Sequence, residues 1–212
     1  ERRKPFLTAK RLLTNQTFRD LYRTDALESD QRLKITSLTF LFTDLKGSTA
    51  LYDRVGDIKA YDLVRAHFDL LNRIVAAEEG AVVKTIGDAV MATFETSDRA
   101  VSAALKMREA ITGVGHVGKD QGQGEDLLLK IGIHEGPCLA VMLNDRQDYF
   151  GQTVNIAARV QGLADSRAIL ATGAVIERQE TAKLLQHVGV TPVAQRQALR
   201  GVTHELTLYE LP

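Results

Sequence analysis

The chain has 212 residues, 44% of them hydrophobic, and its 27 basic and 27 acidic side chains leave no formal net charge. That is enough for one substantial domain, or for a domain with an appendage, and the balanced charge excludes the basic excess that marks a nucleic-acid partner. No apolar run approaches the roughly eighteen residues that span a bilayer, no leader pattern opens the sequence, and the single cysteine, Cys138, rules out an internal disulfide and fits a reducing, cytoplasmic setting.

Residues 1–34 differ from the rest. Arg2, Arg3, Lys4, Lys10 and Arg11 stand against one acid, and Leu12, Leu13, Phe18, Leu21 and Tyr22 follow at near-helical spacing. Two readings are open: a solvated connecting helix, or a coupling segment that carries a signal from an upstream regulatory domain. The chain begins at Glu1 without methionine, so a piece of a longer protein is expected.

From Ile35 the pattern becomes regular. Ile35 to Thr43 is rich in β-branched and aromatic residues and reads as a buried strand. Tyr61, Val64, Phe68, Leu71 and Val75 recur every three or four positions, which predicts a helix from Tyr61 to Glu79 closed by Gly80. Val82 to Phe94 reads as two strands joined by a tight turn at Gly87-Asp88. Ser97 or Asp98 caps a second helix, Arg99 to Ile111, and residues 113–124 form a loop rich in glycine and glutamine.

Strands are expected at Leu127–Ile133 and Leu139–Leu143, around Gly136-Pro137, followed by a helix over Thr153–Ala164. A strand at Ala168–Ala171, a helix near Val175–Leu185 and an edge strand over Thr203–Leu211 complete the chain. The order β-α-β-β-α-β with further α/β elements predicts an α+β protein with a ferredoxin-like core, its helices on one face of a mainly antiparallel sheet.

Several motifs fail on context. Residues 113–118 spell GxGxxG, yet a helix precedes them and a polar loop follows, the reverse of a dinucleotide-binding turn. No GxxxxGK[ST] run occurs. The five histidines are scattered without metal-ligand spacing to Cys138, and His134 reads as a packed strand-end residue.

A second constellation survives. Asp44 follows the apolar run 38–43 and Asp88 stands at the hairpin tip; if the two strand ends are neighbours, the carboxylates converge beside the loop 45–49. Converging carboxylates near a glycine suit Mg²⁺ carrying a triphosphate, since Mg²⁺ takes oxygen ligands and leaves positions for phosphate. Lys84 lies four residues before Asp88, Asp148 lies just before a helix, and that helix carries Asn155 and Arg159 one turn apart on one face.

Together these segments resemble the catalytic domain of class III adenylyl/guanylyl cyclases. The likeness rests on FTDLKGST (42–49), VVKTIGDAVMATF (82–94), LKIGIHEGP (129–137), DYFGQTVNIAARV (148–160) and ALRGVTHELTLYEL (198–211), in matching order and spacing. It covers residues 35–211, so a catalytic domain is expected over 35–212. The chain looks most like bacterial cyclase domains that sit behind a regulatory region.

The resemblance implies roles by position. Asp44 and Asp88, with the Leu45 carbonyl, match the ligands of two divalent cations, Mg²⁺ or Mn²⁺. Lys84 and Asp148 match the pair that reads the purine. Asn155 and Arg159 match the residues that orient the ribose and stabilise the transition state. Lys46, Gly47, Ser48 and Thr49 match the loop that holds the triphosphate, and Arg200 a basic residue facing the terminal phosphates. Ser48 departs from the family, where many members carry an aromatic residue, and the segment between Gly136 and Asp148 is shorter than in many of them.

The implied activity is that of a lyase in signal transduction: ATP to 3′,5′-cyclic AMP and pyrophosphate, by in-line attack of the ribose 3′-oxygen on the α-phosphorus. Two metals can activate that oxygen and neutralise the leaving group. The choice of base has a physical argument of its own. Adenine offers an acceptor at N1 and a donor at its 6-amino group, and guanine reverses this; Lys84 can only donate and ionised Asp148 can only accept. The pair therefore favours ATP over GTP. In the family the site spans a dimer interface, which implies a C₂ homodimer with two equivalent sites. The alternative is a silent nucleotide-sensing module, but the metal and transition-state residues are all present. A diguanylate cyclase is disfavoured because its GGDEF-type signature is absent.

Overall fold

Six consecutive buried residues, Leu38 to Thr43, run through the middle of strand β1 (Arg32–Lys46). A strand buried on both faces needs a packed layer on each side, and both are present. The structure, a computed structural model, describes residues 7–21, 32–114, 128–143, 146–165, 168–202 and 205–212. The expected loop at 113–124 lies outside these beyond Val114, as do Tyr22, Leu127, Asp145 and Thr203.

Strands β2 (Ala81–Ile86), β3 (Ala89–Phe94), β4 (Leu128–Leu143), β5 (Arg146–Phe150), β6 (Ile169–Thr172), β7 (Val193–Gln197) and β8 (Leu206–Leu211) join β1 in one sheet ordered β2-β3-β1-β4-β6-β8-β7, with β5 on the far end of β4. Among the described residues only the β4–β6 pair is parallel. Strands β1 to β4 with the helices between them are the ferredoxin-like core expected from sequence.

Helices α4 (Asp57–Ala77) and α5 (Ser97–Val114) cover one face, joined by α7 (Gly173–Ile176) and α8 (Gln179–Val188). There Leu41 and Leu45 of β1 and Ile131 and Ile133 of β4 meet Leu71, Val75, Val101 and Met107. The opposite face is covered by α6 (Gln152–Leu163) and by the N-terminal helices α1 (Ala9–Leu13) and α2 (Gln16–Leu21). Phe40, Phe42, Cys138 and Tyr149 pack there with Ala157 of α6 and Leu13 of α1. The one-face expectation is thus corrected: alternate residues of β1 are apolar on both sides, and each side buries them.

Other boundaries differ for physical reasons. The strands expected on either side of Gly136-Pro137 are one continuous strand, β4. Pro137 lies opposite a register shift in β1 between Ile35 and Leu38, where a missing N–H disturbs no regular ladder. His134 is therefore mid-strand, its Nδ1 2.7 Å from the Thr172 hydroxyl. The segment before α6 forms strand β5, and the helix near 175–185 is two helices. The C-terminal strand β8 is not an edge: it pairs with β6 and with β7, which takes the edge position.

Helix α6 lies unusually close to the sheet. A Cβ on Gly132 of β4 would fall 2.1 Å from the backbone nitrogen of Gln161, so only glycine admits this approach. Among the described residues no helix is long and apolar enough to cross a membrane.

Candidate active site

Asp44 is the third residue from the end of β1. The β1–β3 ladder stops at Thr43↔Val90 while β1–β4 continues to Lys46↔Leu128. Asp44 and Leu45 therefore keep one open backbone edge, on the side of the β2–β3 hairpin whose tip is Gly87-Asp88. Burial pushes the Asp44 carboxyl up, and the charge of Asp88 adds to it; Lys130, the cross-strand partner, and a hydrogen bond with Gln161 pull the other way. Asp88 Oδ2 is buried without a protein partner.

A buried Asp44 carboxyl whose ionisation is disfavoured, beside an Asp88 carboxylate with an orphaned oxygen, fits a hard divalent cation. No group of three His, Cys, Asp or Glu side chains that could hold a metal occurs among the described residues. A cation here would complete its shell with backbone oxygen, water or substrate phosphate.

Within electrostatic reach of Asp88 sits His67 of α4, fully buried, with neither ring nitrogen hydrogen-bonded. Burial lowers its pKa to about 4, against the upward pull of Asp88. Sequence reading passed over it, although a histidine three residues after Val64 and four before Leu71 stands on the apolar stripe of the helix and is anomalous there. Lys130 and Gln161 were missed as well; a lysine inside the buried run 129–133 was the available signal for the first.

Lys84 and Asp148 come together as expected. Lys84 Nζ lies 2.5 Å from Asp148 Oδ2, while Asp148 Oδ1 accepts the Tyr149 N–H at 2.8 Å. The carboxylate is 11% exposed and the lysine side chain 42%, so the acceptor is held and the donor can move.

The segment expected from sequence to hold the triphosphate is no free loop. Lys46 is the last residue of β1, and Gly47, at φ +80, turns directly into helix α3 (Ser48–Val55), with Leu51 N–H bonded to Gly47 O at 3.0 Å. Ser48 and Thr49 thus open a helix, where backbone N–H groups have no intrahelical acceptors.

Asn155 and Arg159 lie on the exposed side of α6. The Arg159 guanidinium packs on the Arg200–Gly201 turn, 3.3 Å from where a Gly201 Cβ would stand. Gln161, two positions on, is rotated by about 200° and faces Asp44 and the sheet. Arg159 therefore points away from the carboxylates of its own chain.

A family model described as adenylate and guanylate cyclase catalytic domain matches residues 31–209. A second, described as a family of unknown function, matches residues 1–20. The adenylate cyclase of Mycosarcoma maydis is 31% identical over 159 residues, covering 68% of this chain and 6% of that protein. Adenylate cyclase 1 of Rhizobium meliloti (strain 1021) is 26% identical over 187 residues, covering 82% and 27%. Among solved structures, the adenylyl cyclase CyaB from P. aeruginosa superposes with a TM-score of 0.73 at 23% identity, over 86% of this chain and 96% of that one. The chain thus spans a small part of the length of these curated relatives.

Proposed function

The chain belongs to the adenylate and guanylate cyclase catalytic domain family, and on that premise we propose that it converts ATP to 3′,5′-cyclic AMP and pyrophosphate at a site shared by two copies. The observation that carries the choice of base is the Lys84–Asp148 pair, at 2.5 Å. Lys84 donates to adenine N1 and Asp148 accepts from the 6-amino group. Guanine would set donor against donor and acceptor against acceptor, and a site built on a polar edge discriminates by orders of magnitude when its partners go unpaired.

Asp44 and Asp88, with the Leu45 carbonyl, would hold two Mg²⁺ or Mn²⁺ ions; bound there, these supply Lewis acidity at the 3′-oxygen and the phosphates. The chain's own groups do the positioning. Gly47, Ser48 and Thr49 offer the N-terminal amides of α3 to the triphosphate, where the helix dipole also favours an anion. Lys46 and Arg200 add positive charge toward the terminal phosphates. Asn155 orients the ribose, and Arg159 faces the charge that develops on the transferring phosphorus; such an arginine contributes about 10³-fold or more to turnover.

The direction of Arg159 supports the shared site. Gln161 of the same helix occupies the side facing Asp44, so Arg159 serves the carboxylates of a second copy. A C₂ pair closes on itself and gives two equivalent sites.

Turnover of ATP and of GTP by the purified chain, each with Mg²⁺ and with Mn²⁺ and with products resolved, tests the proposal. Cyclic AMP from ATP, lost in Asp44→Ala, supports it. Comparable turnover of both nucleotides contradicts the base assignment, and nucleotide binding without any product favours a sensing module.

A further inference from the structure

Lys84 and Asp148 sit on strands that share no ladder: among the described strands β2 pairs only with β3, and β5 only with β4. Nothing in the sheet fixes the distance between them, and β2 is further loosened by a register shift between Val82 and Lys84. Helix α2 fills that gap. Arg19 Nη2 donates to the Gln147 carbonyl at 3.1 Å and reaches the Val83 carbonyl at 3.5 Å. Those are the residues immediately before Asp148 and Lys84. Gln16 Oε1 accepts the Val82 N–H at 2.7 Å, so the irregular stretch of β2 finds its partner in the N-terminal segment.

The bridge is itself held in place. The Arg19 guanidinium lies 5.9 Å from the centroid of the Tyr149 ring, and the Tyr149 hydroxyl donates to the Leu13 carbonyl at 3.3 Å. Leu13 is buried with Phe40, Phe42 and Tyr149. One cation thus ties together two strands that share no ladder. A charge-assisted hydrogen bond to a backbone carbonyl is among the stronger polar contacts a fold can make.

We propose that Arg19, assisted by Gln16, is a positioning residue for the purine-reading pair, fixing β2 against β5 so that Lys84 and Asp148 keep the spacing of one base edge. The proposal rests on the reading of that pair given above. Arg19 touches no nucleotide; it acts through the backbones of Val83 and Gln147. Movement of the N-terminal helices would then reach the base pocket directly, without passing through the core.

The test uses the 212-residue chain with Arg19→Ala and Arg19→Lys, read by amide hydrogen exchange without nucleotide and by steady-state kinetics. In Arg19→Ala, exchange over 81–86 and 146–150 should quicken about tenfold while 206–211 in β8 is unchanged, as local rather than global opening requires. The KM for ATP should rise about tenfold, the loss of one such bond, with a reduced preference over GTP and kcat changed far less. Arg19→Lys should restore both readouts, because an ammonium can donate to both carbonyls. Unchanged exchange in β2 and β5, a uniform rise that includes β8, or a fall in kcat at constant KM would overturn the proposal. If the chain shows no preference for ATP, the base assignment fails, and the exchange pattern still decides whether Arg19 fixes the strands.

Discussion

Asp148 accepts the Lys84 ammonium on one carboxylate oxygen, at 2.5 Å, and the amide of its own neighbour Tyr149 on the other, at 2.8 Å. The second bond fixes the carboxylate plane, so the acceptor proposed to meet the purine is preset. In Asp148→Asn the shape survives, but an amide can present donor or acceptor. The kcat/KM for ATP should fall about 10–100-fold, with the ATP-to-GTP ratio falling toward one, since a mismatched polar edge costs one or two strong hydrogen bonds. Steady-state assays with both nucleotides check this.

The carboxylates of Asp44 and Asp88 predict a stability effect of divalent cations. The folded Asp44 carboxyl is pushed up by burial and by Asp88, so its ionised form disfavours the fold once pH exceeds the ordinary carboxylate range. Mg²⁺ or Mn²⁺ should raise the thermal midpoint, by about 2.7 kcal/mol of stability at a hundredfold excess over Kd. Asp44→Asn should be more stable than wild type without metal and lose the response to it. Thermal unfolding with and without cation reads both.

Gly132 and Gly162 should respond oppositely to alanine. A Cβ on Gly132 meets the backbone of Gln161 at 2.1 Å, which no side-chain rotation relieves, whereas nothing lies within 4 Å of a Cβ on Gly162. Gly132→Ala should cost about 1–3 kcal/mol as α6 is forced outward, and should lower turnover because Gln161 leaves Asp44. Gly162→Ala, inside the same helix, should gain about 0.5–1 kcal/mol. Denaturant unfolding of the two variants decides.

Much of this was legible in the sequence because the chemistry sits on short segments of strong pattern. The apolar run ending at Asp44, the Gly87-Asp88 turn and the i, i+4 spacing of Asn155 and Arg159 are local signals, and the structure places each on the element expected. What was not legible depends on pairs distant in the chain. Strand β5 is short and polar, and forms only because Leu139–Leu143 offers it an edge. The internal place of β8 depends on β7, whose sequence Val193–Gln197 has no buried face. The approach of α6 is set by Gly132 some thirty residues away, and the N-terminal helices declare their docking only through single polar contacts of Gln16 and Arg19.

Two buried histidines make stability depend on pH. His67 and His134 are both lowered to about 4 by burial, while in the unfolded chain they titrate near 6.5. The unfolded state therefore takes up protons first. Stability should be complete above pH 6.5 and be lost toward pH 4, at up to roughly 1.4 kcal/mol per pH unit for each histidine. Glu135 extends the loss to lower pH: burial raises its pKa, but hydrogen bonds from Ser37, Ser97 and Arg178 and the charge of Arg178 outweigh that and leave it lowered. His67→Leu should flatten the profile between pH 6.5 and 5, as urea unfolding across that range would record.

The central claim is that one catalytic site joins Asp44 and Asp88 of one copy to Lys84, Asp148, Asn155 and Arg159 of another. Mixing inactive Asp44→Ala and Arg159→Ala chains, and measuring cyclic AMP formed from ATP, tests it most directly. Random pairing makes half the dimers mixed, each with one intact site, so about a quarter of wild-type activity should return. No recovery in a mixture shown to contain mixed dimers would contradict the account.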